Sequence, residues 1–393
     1  MKKIIFIIIL LIVVSCKDKK QSSITPKLEK ELCESLYNNQ SKKIEGYTLK
    51  TYVDSTIQNT TKASLLESLK EYEADNGFVL VMETNTGKIK AMVGLEKDSQ
   101  SNYVLSKSIA INTPIEPGSL IRTFDMMSLL EDKKSDTSSV YDAKGGKISL
   151  YGMMIVDNHL GFNKLSLREA FLNSSNTIFA QAIDSSYNNT PHQYINNFNK
   201  FGLSSSFSQI SCNPVIPTPK SDSWSKSSLP WMAFGYGVEL TPIQLLTYYN
   251  SIANKGIMIE PLIISSIQKK DLEIKNYDII RQNGWTRYSF EPQTSLKTNK
   301  VLQDLLRVSV SKGSCQVVNS QKISISGYSA TTQINYSDEN QKKEYASSFV
   351  GYFPSEKPKY TILVYVNKPN NEKGYYGSIV AGSVVKRIAE TIK

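Results

Sequence analysis

Histidine is almost missing from this chain: His159 and His192 are the only two in 393 residues. Neither stands at a ligand spacing from cysteine or acidic neighbours, so metal catalysis and a Ser-His-Asp triad both lack their parts. A surface or internally satisfied imidazole is the default for each. Cysteine is equally sparse, and Cys16, Cys33, Cys212 and Cys315 lie at unrelated spacings that make neither a metal set nor a disulfide framework. No repeat at a solenoid period occurs. The opening apolar run, Ile4 to Val14, falls short of the roughly 20 residues needed to cross a bilayer. No cofactor motif is present, and no cofactor is expected.

What the start of the chain does contain is two lysines, that apolar run, then Ser15 and Cys16, the order of a secretory signal. The tail "VVSC" resembles the lipobox of bacterial lipoproteins, which implies cleavage before Cys16 and lipidation of its thiol. The expected organisation is therefore a signal over 1–16, a polar Lys-rich tether over 17–47, and a domain over 48–393. A lipid-anchored protein of the cell envelope, facing the periplasm or the cell exterior, follows. The formal charge of +10 comes from scattered lysines and suits anionic lipid or an acidic polymer; export excludes nucleic acid.

Periodicity predicts a short strand, then a helix capped by Asp54 with apolar Ile57, Leu65, Leu66, Leu69 and Tyr72, closed by Gly77. "FVLVMETNTGKIKAMVGL" predicts a hairpin around Asn-Thr-Gly. From about Asn102 to Pro261 the pattern predicts a helix-rich middle, with "SLREAFLNSSNTIFAQAIDSS" and "TPIQLLTYYNSIANKG" among its helices. From Val301 it returns to strands, and "GSIVAGSVVKRIAETIK" predicts a closing helix. The fold class expected is α+β: one antiparallel sheet assembled from both ends of the domain, with an all-helical insertion.

One serine stands in a setting that could carry chemistry. In "PGSLIR", Pro117-Gly118 turns the chain sharply and Ser119 begins an apolar helical run, which places residue 122 one turn away. A serine attacks only when a neighbour takes its proton, and here that neighbour is Arg122. Ser-x-x-Lys itself recurs at Ser223, Ser266 and Ser383 without such a context.

From about Thr48 to Ile392 the chain resembles the transpeptidase domain of class B penicillin-binding proteins, which cross-link peptidoglycan and are acylated by β-lactams. "PGSLIR" occupies the place of the family's Pro-Gly-Ser-x-x-Lys, and "LNSSNTIFAQ" matches Ser-x-Asn with Ser174 and Asn176. "FGYGVELTPIQLLTYYNSIANKG" is similar to the family's long Gly-Tyr-Gly, Thr-Pro, Gln, Ala-Asn-x-Gly block, and "SGYSATTQ" falls where Lys-Thr-Gly-Thr lines the cleft. The resemblance implies the penicillin-binding-protein fold, Ser119 as nucleophile, and Arg122, Ser174 and Asn176 around it. It implies substrate contacts from Tyr328, Ser329, Ala330 and Thr332, the last as backbone donor of an oxyanion hole with Ser119. Stem peptide or β-lactam is the expected occupant, with cell-wall synthesis proteins as possible partners. Class B relatives usually carry an additional amino-terminal module, for which the tether has no room.

Two departures fall on the family's lysines. A guanidinium offers no lone pair to accept the Ser119 proton, and loss of a positioned base costs about 10²- to 10⁴-fold in rate. Tyr328 brings no positive charge for a substrate carboxylate, and Ala330 adds a methyl where substrate backbone would lie. Ser329 keeps a hydroxyl. The leading expectation is an impaired transpeptidase that binds stem peptide or a partner protein, with Arg122 paired to Glu116 or Asp125. The alternative is an active D,D-transpeptidase or carboxypeptidase whose base comes from elsewhere, Lys107 or Lys144 being the candidates; a β-lactamase is a smaller possibility.

Overall fold

Asp54 sets the first helix: its carboxylate accepts from the backbone N–H groups of Thr56 and Ile57 at 3.0 and 3.1 Å, satisfying two donors that a helix start leaves open. The structure, a computed structural model, describes residues 42–44, 47–106, 113–205, 207, 213–269, 272–275, 293–336 and 342–392. The signal, Cys16, Cys33, Cys212, Lys107 and most of the expected tether lie outside them. Along the chain run β1 (Lys42–Ile44), β2 (Tyr47–Thr51), α1 (Ser55–Glu71), β3 (Asn76–Glu83), β4 (Ile89–Lys97) and β5 (Tyr103–Leu105). A 3-10 turn at Gly118–Ile121 leads into α2 (Arg122–Glu131), followed by β6 (Val140–Asp142), β7 (Lys147–Leu150), β8 (Met153–Val156) and β9 (Lys164–Ser166). Then come α3 (Leu167–Leu172), α4 (Asn176–Tyr187), α5 (Pro191–Lys200), α6 (Ser228–Met232), α7 (Pro242–Ala253), β10 (Ile264–Lys269) and β11 (Leu272–Lys275). The last elements are α8 (Leu296–Lys312), β12 (Ser326–Gln333), β13 (Tyr345–Phe353), β14 (Tyr360–Asn367) and α9 (Gly377–Ile392).

One six-stranded sheet, in the order β12-β13-β14-β3-β4-β5, joins both ends of the domain, and every pairing in it is antiparallel. Its middle strands are apolar on both faces because each face carries a core. Phe78, Leu80, Met82, Val350 and Leu363 pack with α2 and α7, while Val79, Val81, Phe349, Ile362 and Val364 pack with α1 and α9. A buried glutamine joins α1 to the sheet: Gln58 donates to Met92 O and accepts from Met92 N, both at 2.8 Å. On the other face Asn250 of α7 donates to Thr84 O at 3.0 Å and accepts from Thr361. The α+β architecture expected from the sequence is the architecture found.

Four local expectations are corrected. Helix α1 closes at Tyr72 with Glu73 at φ 51, and Gly77 lies inside β3, where a Cβ would meet Tyr365 O at 2.8 Å. The middle is not all helical, since β6 pairs with β9 and β7 with β8. The segment expected as one helix from Ser166 breaks into α3 and α4, and the segment after Val301 continues α8, so strands resume only at Ser326. Besides the main sheet, β1 joins β2 in a small sheet with β10 and β11. Among the described residues no helix is long and apolar enough to cross a membrane.

Candidate functional site at the Ser119 turn

Two glycines allow the Ser119 turn to sit where it does. Gly118 has φ +52, and a Cβ there would lie 2.2 Å from Thr332 Oγ1 of β12. Gly235 has φ +84, and its Cβ would lie 2.1 Å from Gly118 O, so the "FGYG" loop and the turn meet backbone to backbone. Gly118 N donates to Gly235 O at 3.2 Å. Tyr249 of α7 fixes the next turn by donating to Leu120 O at 2.9 Å. Ser119 is half-buried at the start of this turn, and among the described residues its hydroxyl has no hydrogen-bond partner.

Arg122 is wholly buried, and each of its two amino groups has a partner: one donates to Ser174 Oγ and the other to Asn176 Oδ1. The ring of Phe179 lies 5.6 Å from the guanidinium carbon. Neither expected carboxylate pairs with it. Glu116 instead accepts from Gly237 N at 2.8 Å and from the Tyr336 hydroxyl at 2.7 Å. Asp125 accepts from the Tyr194 hydroxyl at 2.7 Å, and its second oxygen and Arg122 Nε are both buried without a hydrogen bond. Burial pushes the Asp125 carboxyl well above its usual range, against the Tyr194 hydrogen bond and the Arg122 charge.

Ser174 owes its position to strain. It stands between α3 and α4 at φ 57, a left-handed conformation uncommon for a residue with a Cβ, and this breaks the helix so that both Ser174 and Asn176 face Arg122. The break is held from below by Asp157, which accepts from Ser175 Oγ at 2.8 Å, Thr177 N at 2.8 Å and Thr177 Oγ1 at 2.9 Å. Asn176 is fixed further by donating to Val156 O at 2.8 Å. Asp157 carried no signal in the sequence, because its partners lie 18 and 20 residues away and nothing local marks an acid as a loop clamp.

The strand wall differs from expectation. Tyr328 is wholly buried, packs against Phe171 with the rings tilted by 40° and their centroids 4.4 Å apart, and donates its hydroxyl to Phe171 O. Burial pushes its phenol up, against the pull of the Arg122 charge. Ser329 points to the opposite face, where it accepts from Cys315 Sγ at 3.3 Å. The Ala330 methyl lies on the Gly118 side and is buried there, not along the strand's free edge. Gln333 N donates away from β13 to the Tyr236 hydroxyl at 2.9 Å, whereas Ile334 N donates toward β13's side of the sheet, to Glu344 O at 3.0 Å. Backbone direction alternates along a strand, so the Thr331 N–H faces the free edge and the Thr332 N–H faces β13, while Thr332 brings its side chain to the Gly118 contact. Lys144 is exposed in the turn after β6 and makes no ion pair among the described residues.

A buried Ser-x-x-Arg turn, a Ser-x-Asn break and an edge strand passing the serine form one constellation, and a family model of the same layout matches. The "Penicillin binding protein transpeptidase domain" model covers residues 77–390. The chain belongs to this family. Among curated proteins it is 26% identical over 355 residues to the peptidoglycan D,D-transpeptidase FtsI of Buchnera aphidicola subsp. Schizaphis graminum, covering 86% of this chain and 57% of that protein. It is 24% identical to the probable peptidoglycan D,D-transpeptidase PenA of Neisseria flavescens, over 86% of this chain and 80% of that one. The chain thus spans little more than half the length of the Buchnera transpeptidase. The transpeptidase-domain structure of Burkholderia pseudomallei penicillin-binding protein 3 superposes with TM-score 0.69 at 21% identity, over 86% of this chain and 93% of that one. The aztreonam complex of a mycobacterial penicillin-binding protein 3 superposes with TM-score 0.71 at 20% identity, over 88% of this chain and 79% of that one. The homologues are peptidoglycan D,D-transpeptidases of cell-wall synthesis, and the shared fold is that of the transpeptidase domain.

Proposed function

We propose that this protein is a lipid-anchored member of the penicillin-binding protein transpeptidase family. Its Ser119 cleft binds peptidoglycan stem peptides in the cell envelope while its acyl transfer is impaired. The carrying observation is Arg122: a buried guanidinium that spends both amino groups on Ser174 and Asn176 stands where the family's Ser-x-x-Lys places its base. It has no lone pair for the Ser119 proton, and among the described residues no group hydrogen-bonds that hydroxyl. The backbone N–H groups of Ser119 and Thr331 are the donors this reading assigns to an oxyanion hole, and backbone groups tolerate side-chain change, so polarisation of an acyl carbonyl can survive loss of the base. Anchoring through Cys16 rests on "VVSC" after the apolar run.

The test is labelling of the purified chain by a fluorescent penicillin, read by denaturing gel and intact mass. Wild type is expected to label weakly or not at all, Arg122→Lys to gain label, and Ser119→Ala to carry none. Stoichiometric label on wild type that Ser119→Ala abolishes would make the protein an active serine acyltransferase with a base of different origin. Metabolic incorporation of a fatty acid, lost in Cys16→Ser, checks the anchor.

A further inference from the structure

The two ends of the six-stranded sheet treat their lysines differently. At the end where β4 finishes and β13 begins, Lys97 pairs with Asp75, Lys368 with Glu344 and Lys373 with Glu73, at 3.9, 2.8 and 2.8 Å. At the other end lie the β3–β4 and β13–β14 turns, and there Lys88, Lys357 and Lys359 make no ion pair among the described residues. Lys255 after α7 and Lys297 and Lys300 of α8 share this end and are likewise unpaired among the described residues. They are brought there because Asn250 of α7 donates to Thr84 O at 3.0 Å and Asn299 of α8 donates to Ile252 O at 3.1 Å. Five of these six lysines are exposed, Lys88 being half-buried, and Leu296 beside Lys297 is 70% exposed. Acids at this end are spent on hydroxyls: Glu83 accepts from Thr86, Glu131 from Thr294 and Ser295, and Glu356 from Ser324. Residues 270–292, which lead toward α8, hold four basic and four acidic side chains in the sequence, so they do not offset the lysines.

The amino-terminal segment also enters the domain at this end. Tyr52 N donates to Ile263 O at 2.9 Å, Asp54 N to Lys90 O at 2.8 Å and Ile89 N to Leu262 O at 2.9 Å, which sets the small sheet of β1 and β2 beside the β3–β4 turn. The Ser119 turn is remote from it. Helix α7 starts next to Leu240, which is bonded to Ile115, and its twelve residues carry the chain about 18 Å to the lysine end. Unpaired lysines around an exposed leucine suit an anionic bilayer surface: the stems reach headgroups while the leucine enters the acyl boundary, and each lysine strengthens contact about fivefold. Resting on the anchored reading above, we infer that this end of the domain docks on the anionic lipid surface beside the anchor, with the Ser119 turn held away from the bilayer.

The full chain, purified from membranes in detergent, is reconstituted into nanodiscs of phosphatidylcholine alone or of equal parts phosphatidylcholine and phosphatidylglycerol. Lysine acetylation by sulfosuccinimidyl acetate is then followed by peptide mass. On the anionic discs Lys255, Lys297 and Lys357 are expected to react at least about threefold more slowly than on neutral ones, while Lys97, Lys368 and Lys373 keep their rates. The difference should vanish at about 1 M salt, where the screening length is near 3 Å. Exposed Lys297 and Lys300 can be reversed without disturbing the core, and Lys297→Glu with Lys300→Glu should release Lys255 and Lys357 from shielding on anionic discs. Equal rates on both discs, from a chain attached to both, would overturn the inference and leave the anchor standing. Shielding at Lys97, Lys368 and Lys373 instead would reverse the orientation and overturn it too. A chain that stays on anionic discs but leaves neutral ones would sink the anchor and support the charged face, and release from both would sink both. Shielding by dissolved polygalacturonate, with none on anionic discs, would assign the face to an acidic polymer and reject the lipid.

Discussion

The two walls of the site have treated their side chains differently. On the helical wall, Arg122 bonds Ser174 and Asn176 while Asp157 bonds the neighbouring Ser175 and Thr177, and each of these partners is distant in sequence. On the strand wall, β12 keeps its pairing to β13 over all eight residues, while Tyr328 and Ala330 have become packing and Ser329 faces away. A wall built from side chains depends on residue identity, because one substitution orphans several buried groups. A wall built from backbone tolerates side-chain replacement, because strand pairing asks only for extended dihedrals.

The largest effect expected from breaking this contrast is at Arg122. Arg122→Ala should destabilise the fold by about 3–5 kcal/mol in chemical denaturation, since it opens a cavity beside Phe179 and unpairs Ser174 and Asn176. Asp157→Ala should cost about 2–4 kcal/mol, by leaving Thr177 N–H and two hydroxyls without their acceptor, and should loosen hydrogen exchange at Ser175–Thr177.

Asp125 tests the same wall through pH. Its folded carboxyl titrates above the unfolded one, so the folded state binds the proton more strongly; the stability this gives is complete below about pH 4 and lost as pH rises through the folded value. Asp125→Asn should therefore gain on wild type as pH is raised from 4 toward 7, by no more than about 1.4 kcal/mol per pH unit. A difference that shrinks over that range would reverse the assignment.

The strand wall should answer more quietly. Tyr328→Phe removes one buried hydrogen bond to Phe171 O and should cost about 1–2 kcal/mol. Ala330→Gly should cost about 0.5–1 kcal/mol through chain entropy and leave penicillin labelling unchanged, since the methyl packs on Gly118 and not on the free edge. A large change in labelling from either would mean that β12 contributes side chains to the site after all.

Local physics let the residue order alone determine much of this protein. The Asp54 cap, the hairpin with Gly87 at φ +75, the closing helix and the α+β class all follow from interactions within a few residues or from apolar periods that one element must bury. Ser119 was legible for the same reason, since a Pro-Gly turn into an apolar helix is a local event. Orientation and partnership were decided only by tertiary structure. The period of a strand says which residues share a face but not which face meets Ser119, so the fate of Ser329 and the turning of the Thr332 N–H toward β13 depended on how α9, α8 and the Gly118 turn dock on β12. The partner of Arg122 was decided likewise: sequence proximity offered Glu116 and Asp125, whereas the guanidinium reaches residues 52 and 54 positions away because a strained Ser174 turns them toward it. A buried charge takes whichever partners the packed chain brings within hydrogen-bond reach, and only the fold sets those distances.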